Sequence, residues 1–208
     1  LSQRVPYPIA VAIGSAFNAA FDARATYPSV GRSFGMNCTG RSQDERRTCP
    51  AYLITFTTYG TRLHGDTRGS VDRFTASFGA PVIPPNAAWR RYERIRLKRP
   101  PVRLDGPRRA ATRCAIEAIV GRRSWFLHAL NVRTNHVHAV VAARSSASRV
   151  LNALKANATR VMRERGLWNE DGSPWTDGGS TRYLWDDYAV GLAIDYVRNR
   201  QGPGLPDN

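Results

Sequence analysis

Two apolar segments joined by only two residues place the strongest constraint on how this chain can fold. Residues 125–132 and 135–143 are rich in apolar and β-branched side chains, and only Arg133 and Thr134 separate them. Apolar runs of this length with so short a connection predict an antiparallel β-hairpin. Because side chains alternate across a strand, the hairpin also decides which residues of the second segment face the core.

The chain from residue 51 onwards alternates strand-like and helix-like patterns. Residues 52–59 are rich in aromatic and β-branched side chains and precede Gly60, which is typical of a strand. Apolar residues at helical spacing, with Pro, Gly and Asp at the ends, predict helices over 107–122, over 146–166 and from about 187 to 200. Residues 181–184 are compatible with a further short strand. This order predicts an α+β fold, with an antiparallel sheet and helices packed on one face.

Two stretches lack any regular period. Residues 1–50 are rich in Gly, Ser, Arg and Pro, so we expect an irregular or disordered extension that need not be native. Within it, residues 9–21 have the outline of a signal peptide, although the basic remainder with few cysteines argues against export. Residues 60–100 predict a long basic loop with little regular structure. The organised domain is therefore expected over 51–202, followed by a tail at 203–208.

The charge of the chain favours a nucleic-acid partner. Lys and Arg total 31 against 16 Asp and Glu, giving a formal charge of +15, and lysine stands only at Lys98 and Lys155. The planar fork of arginine suits phosphate oxygens, although a merely soluble basic surface would have the same composition. Three cysteines without a C-x-x-C pair favour neither a disulfide framework nor a structural zinc site. We therefore expect a protein of the reducing cell interior. No apolar run approaches the roughly 20 residues that a membrane span requires, so none is expected.

The sharpest candidate for chemistry is the sequence His136-Val137-His138. On a strand, the two imidazoles point to the same face, while Val137, Ala139 and Val141 point to the core. The two histidine Cα atoms would lie roughly 6.5–7 Å apart, so both rings could bind one divalent cation. Two surface histidines on a half-exposed strand would show the same spacing, and the pair alone does not decide between these readings.

A metal-dependent reaction needs a further ligand and a reacting group, and the last predicted helix offers both. Tyr196 lies on the flank of the apolar stripe of that helix, so we expect its hydroxyl to face a cleft beside the sheet. Gln201 follows near the helix end, before Pro203. A phenol is a weak nucleophile at neutral pH, and a divalent cation compensates by polarising the phosphate. An ordinary packing tyrosine is the alternative.

Taken in order, these segments resemble the single-tyrosine HUH transposases, which include the REP-associated tyrosine transposases and short insertion-sequence transposases. The resemblance covers residues 51–202. It rests on the first strand with its glycine (52–60), Asn-His-Val-His (135–138) with the basic helix that follows, Gly-Gly-Ser-Thr-Arg-Tyr-Leu-Trp (178–185) and Tyr-Val-x-x-x-Gln-Gly (196–202). The histidine pair is moderately specific, and the ordered set is much more so.

The resemblance implies a ferredoxin-like sheet that carries the histidine pair, and single-stranded DNA, often with an adjacent hairpin, as the substrate. His136 and His138 would bind Mg²⁺ or Mn²⁺. Tyr196 would attack a phosphodiester to form a 5′-phosphotyrosyl link and release a 3′-hydroxyl. The enzyme would work in the bacterial cytoplasm at the nucleoid. Family members include dimers and monomers, so a homodimer is compatible with the resemblance.

One position departs from the family pattern. The third ligand of relatives commonly lies four residues after the tyrosine, where this chain has Arg200, and Gln201 comes fifth. In an ideal helix Gln201 would point away from Tyr196, but a loosened last turn would bring it back. We therefore predict Gln201 as the third ligand. His64 and Asp66, in the loop after the first strand, are the second choice for the site.

Basic and aromatic residues outside the site predict the DNA contacts. Arginine and lysine would position the strand through its phosphates. The residues expected to do so are Arg62, Arg68, Arg73, Lys155, Arg160 and Arg163. Trp168, Trp175 and Trp185 could stack on unpaired bases, although packing in the core is the commoner role of a tryptophan.

Three other functions share parts of this pattern. A replication initiator or relaxase would nick DNA with the same two histidines, and a non-catalytic DNA-binding protein could descend from such an enzyme. A secreted metal hydrolase would require the N-terminal segment to be cleaved. A single short domain with one candidate tyrosine favours the transposase.

Overall fold

The computed structural model describes residues 50–67, 69–70 and 83–205. Its elements are β1 (Ala51–Thr57), α1 (Ala87–Ile95), α2 (Gly106–Arg122), β2 (Phe126–Val132), β3 (His136–Ala142), α3 (Ala147–Glu164), β4 (Ser180–Leu184) and α4 (Asp187–Asn199). The expected N-terminal extension up to residue 49, the end of the tail at 206–208, and the predicted DNA contacts Arg68 and Arg73 lie outside the described residues.

The four strands form one antiparallel sheet in the order β2-β3-β1-β4. The predicted hairpin is β2 and β3, which pair directly, and the predicted short strand is β4, which pairs with β1. Two helices, α2 and α3, connect β1 to β2 and β3 to β4. This connectivity is ferredoxin-like, and the predicted α+β class is confirmed.

The first hydrophobic core lies between the sheet and the two long helices. From β3 it contains Val137, Ala139 and Val141, as the alternation of side chains predicts. Ile116 of α2 and Leu154 of α3 are fully buried against them. Full burial of one such side chain contributes roughly 1.5–3 kcal/mol, so this layer holds the helices on the expected face of the sheet.

A second, smaller core lies on the opposite face of the sheet. Leu53, Val140 and Leu184 pack there against Ala193 and Val197 of α4. The two central strands are buried on both faces, since all seven residues of β1 are buried and only the first residue of β3 is partly exposed. Apolar strands of this kind need cover on both sides, which α4 supplies. The last helix therefore lies on the face to which the histidines point.

The expectation that residues 60–100 contain little regular structure is wrong for α1. Asn86 caps this helix by accepting a hydrogen bond from the amide of Trp89 at 2.9 Å. The helix has no buried residue, although Trp89, Tyr92 and Ile95 recur at helical spacing along one side of it. That spacing and the Asn86 cap were the available signals. None of the described helices is long and apolar enough to cross a membrane.

Candidate functional site

The histidine pair projects from the start of β3 toward α4. The ring centroids of His136 and His138 are 4.8 Å apart, and the ring planes are inclined at 74°. His138 is only 1% exposed, whereas His136 is partly exposed. Rings this close can bind one cation between them. The predicted common face of the two side chains is confirmed.

A side-chain oxygen atom lies within hydrogen-bonding distance of Nδ1 of each imidazole. Thr55 Oγ1 lies 2.7 Å from Nδ1 of His138, and Asn135 Oδ1 lies 2.7 Å from Nδ1 of His136. Histidines that bind metals usually hydrogen-bond their other nitrogen in this way, which fixes the orientation of the ring. In both rings, Nε2 would therefore be the nitrogen that binds a metal. Within the described part of the chain, Nε2 of His138 is buried and has no hydrogen-bond partner.

The electrostatics keep His138 neutral. Burial, with the neighbouring His136 as the second cause, lowers the pKa of His138 from 6.5 to about 3. The charge of Arg62 also lowers this pKa, and the side chain of Gln201 acts in the opposite direction. A neutral imidazole is the form that binds metal ions. The same interactions indicate that Arg62 and Gln201 lie close to His138.

Tyr196 of α4 contacts the histidine pair. Its ring centroid is 5.4 Å from that of His138, and the two planes are inclined at 77°. Tyr196 is 8% exposed and belongs to the second core with Val197. It is therefore more buried than its position on the flank of the apolar stripe predicts. Tyr196, the expected nucleophile, nevertheless lies beside His138, an expected metal ligand.

The end of α4 brings Gln201 back to the site. The helix ends at Asn199, and Arg200 leaves helical geometry with φ −111° and ψ 22°. The side-chain amide of Gln201 then donates to the carbonyl of Tyr196 at 3.0 Å. Arg200 instead donates to Asp195 at 2.8 Å. The loosened last turn occurs as expected and places the fifth residue after Tyr196, rather than the fourth, beside His138.

The donor set fits a weakly held divalent cation. Across residues 50–67, 69–70 and 83–205, no group of three His, Cys, Asp or Glu side chains could hold a metal ion. Two imidazoles and the amide oxygen of Gln201 would be three neutral ligands. Oxygens from water and a substrate phosphate usually complete the coordination shell of Mg²⁺. A cation held by these three groups would need further oxygen ligands to complete its coordination shell.

The second-choice site residues occupy the contact between a loop and α1. Nδ1 of His64 lies 3.1 Å from Oγ of Ser70, and its ring stacks on Trp89 with the centroids 4.9 Å apart. His64 thus holds the loop against α1. Asp66 is buried and lines a cleft that also contains Asn135, the neighbour of His136.

The predicted phosphate contacts on α3 are largely occupied within the protein. Lys155 is half-buried and donates to the carbonyls of Thr176 at 2.6 Å and Gly178 at 2.8 Å. Burial lowers the pKa of this lysine. Arg163 donates to Gly172 at 2.9 Å, and Arg160 forms an ion pair with Glu164. Lys155 and Arg163 therefore tie the loop before β4 to α3, and Arg160 and Arg163 are exposed on the helix surface.

The three tryptophans divide into two groups. Trp168 and Trp175 are buried in the first core, and Trp175 donates through Nε1 to the carbonyl of Lys155 at 3.1 Å. For these two residues packing in the core, the commoner role, is what the structure shows, because their rings are not accessible. Trp185 is 84% exposed and stacks on Tyr183 with the centroids 5.2 Å apart. Of the three tryptophans predicted to stack, Trp185 is therefore the one whose ring is accessible to a base.

The sequence interpretation missed a group of arginines close to the site. Arg90 and Arg94 of α1, with Arg103, line the cleft that contains Asn135. The run of basic residues from 90 to 96 was the available signal.

A scan against models of protein families finds no match to this chain, and a search of curated proteins finds no match either.

Proposed function

We propose that this protein cleaves and rejoins single-stranded DNA, with Tyr196 as the nucleophile and Mg²⁺ or Mn²⁺ bound by His136 and His138. The observation that carries the proposal is the contact between the rings of Tyr196 and His138, whose centroids are 5.4 Å apart. Gln201 reaches the same place from the end of α4. These residues come from two elements that are distant in the sequence, and the fold brings their side chains together.

In the proposed reaction, the phenolic oxygen of Tyr196 attacks a DNA phosphorus atom and loses its proton. The bond from that phosphorus to the 3′ oxygen of the preceding nucleotide breaks, and this oxygen takes up a proton. The downstream strand stays joined to Tyr196 through its 5′ phosphate. Attack by a 3′-hydroxyl reverses the step and restores the phosphodiester without an external energy source, since the covalent intermediate conserves the bond energy.

The protein contributes orientation and electrostatics to this reaction. Thr55 and Asn135 hold the two imidazoles through their Nδ1 atoms. A bound divalent cation would polarise the phosphoryl oxygens. Arg62, whose charge acts on His138, adds positive potential where an anionic phosphate would lie. His136 is the more exposed of the two rings, so we expect the DNA strand to enter from its side.

One observation favours a second function. Tyr196 is 8% exposed and packs in the second core, as an ordinary structural tyrosine would. In a non-catalytic DNA-binding protein derived from such an enzyme, the phenol would serve packing alone. Covalent chemistry needs the hydroxyl and packing needs mainly the ring, so Tyr196→Phe distinguishes the two functions.

The test uses the full chain with single-stranded DNA from the flanks of its own gene, labelled at the 3′ end, and Mg²⁺ or Mn²⁺. We expect a protein–DNA band that survives denaturing electrophoresis, requires the cation and is lost in Tyr196→Phe. Tyr188→Phe is the matched control, because Tyr188 lies on the same helix and is exposed. A band that persists in Tyr196→Phe would overturn the assignment. DNA binding without any covalent band would favour the binding protein.

A further inference from the structure

A basic cleft opens beside the histidine pair. It has a volume of about 360 Å³, and its lining includes Arg90, Arg94, Arg103, Asp66 and Asn135. Asn135 is the residue whose side chain lies 2.7 Å from Nδ1 of His136. The cleft therefore adjoins the more exposed of the two histidines. Three arginines against one carboxylate make it electropositive.

The three arginines have no partner in the described part of the protein. All three are exposed, and within residues 50–67, 69–70 and 83–205 their guanidinium groups form no ion pair or hydrogen bond. Arg99 differs, since it donates to the carbonyls of Asp171 and Ser173. Guanidinium groups that lack protein acceptors keep their donors for a ligand, and phosphate oxygens match their geometry.

The backbone places Arg103 at the cleft. Its two neighbours, Val102 and Leu104, are buried in the first core. The amide of Val102 donates to Tyr59 at 2.9 Å, and the amide of Leu104 donates to Thr134 at 2.7 Å. The residue between two inward-facing residues of an extended segment points outward. Arg103 is thus presented next to the turn that carries Asn135.

Helix α1 places the other two arginines. Arg90 and Arg94 are four residues apart, so they lie on the same side of the helix. The helix has no buried residue, and it is held by the loop after β1 through the amide of Asn86, which donates to the carbonyl of Gly65 at 3.2 Å. A helix that buries nothing in the core but is anchored at its N-terminus can serve to present its side chains. Here, one of its sides lines the cleft.

We propose that this cleft, lined by Arg90, Arg94 and Arg103, binds the sugar–phosphate backbone of the DNA strand adjoining the phosphate at the histidine pair. The assignment to the cleaved strand rests on the proposed function. The binding itself requires neither cation nor cleavage. Three observations point to this partner. The cleft has the opposite charge to DNA, its guanidinium groups are free to donate, and it adjoins His136 through Asn135.

The test compares two triple variants of the full chain. One carries Arg90→Gln, Arg94→Gln and Arg103→Gln. The matched control carries Arg113→Gln, Arg122→Gln and Arg149→Gln, which remove the same charge from exposed residues of α2 and α3 across the sheet. The affinity for a fluorescent single-stranded oligonucleotide is measured by anisotropy in EDTA at several salt concentrations. Circular dichroism checks that both variants are folded.

Each lost phosphate contact lowers the salt dependence of binding to a single strand by about 0.7 in slope, so the cleft variant should lose about 2. If binding is equal at 1 M salt, this corresponds to roughly a 100-fold loss of affinity at 0.1 M. The control should change far less. An equal effect of both variants, or no effect of the cleft variant, would overturn the proposal, as would failure of the unsubstituted protein to bind the oligonucleotide.

The covalent band of the unsubstituted protein separates the two proposals. If the band forms and the cleft variant binds normally, the cleft is wrongly assigned and the proposed chemistry stands. If no band forms but the cleft variant loses affinity selectively, the cleft is a DNA-binding surface of a non-catalytic protein.

Discussion

The hydroxyl of Thr55 supplies a buried hydrogen bond to the histidine pair, and Thr55→Val removes that bond with little change of shape. Thr55 Oγ1 lies 2.7 Å from Nδ1 of His138, and both residues are buried. Valine is also β-branched and favours strands, so β1 should form as before. The substitution therefore tests the support of His138 separately from the fold.

Thr55→Val should change two quantities, the free energy of unfolding and the affinity for the metal. Nδ1 of His138 would be left buried without its partner, which costs about 1–3 kcal/mol in the free energy of unfolding. The ring would also lose the contact that fixes its orientation. Loss of such an outer partner typically weakens metal binding about 10–100-fold. We expect both effects in Thr55→Val.

Two assays measure these effects. Urea unfolding in EDTA gives the change in stability without metal, and titration with Mn²⁺ followed by electron paramagnetic resonance gives the affinity for the cation. Thr57→Val is the control, because Thr57 is also buried in β1 but its hydroxyl donates to Thr176 Oγ1 at 3.2 Å, whereas that of Thr55 pairs with a histidine. It should lose stability and keep its Mn²⁺ affinity. If Thr55→Val and Thr57→Val bind Mn²⁺ equally well, the role assigned to Thr55 is wrong.

Three further substitutions probe α1, the third ligand and the core. Gly65→Ala should detach α1 from the loop after β1, because Gly65 has φ +78° and an added Cβ would lie 2.1 Å from the carbonyl oxygen of Asn86. Hydrogen exchange of the α1 amides should then accelerate, and unchanged exchange would refute this. Gln201→Ala should lower the affinity for Mn²⁺ at least about tenfold, as loss of a supporting group does. Gln201→Glu should raise this affinity, because hard cations prefer carboxylates, and equal affinities of the variants would exclude Gln201 as a ligand. Phe56→Ala should cost about 3–5 kcal/mol in urea unfolding, since the ring is buried 4.9 Å from Trp175, and a loss under 1 kcal/mol would contradict that packing.

Local patterns in the sequence are sufficient to predict most of the sheet and the long helices. The hairpin of β2 and β3 follows from two apolar runs and a short turn, and α2 and α3 follow from their apolar stripes. The common face of His136 and His138 follows from the period of a strand alone. These features are predictable because each depends on residues close together in the chain. Helix α1 was missed because it is only nine residues long and lies in a stretch rich in Gly, Pro and Arg, which is typical of a loop.

The assembly of the candidate site depends on tertiary structure. That α4 covers the face opposite α2 and α3 follows from burial of the central strands on both sides, which no single segment reveals. This packing sets Tyr196 against His138, and the departure of Arg200 from helical geometry returns Gln201 to the same place. Spacing along the chain gives the direction of a side chain within its own element. Which side chains meet is decided by how the elements pack, because hydrophobic burial does not depend on separation in sequence.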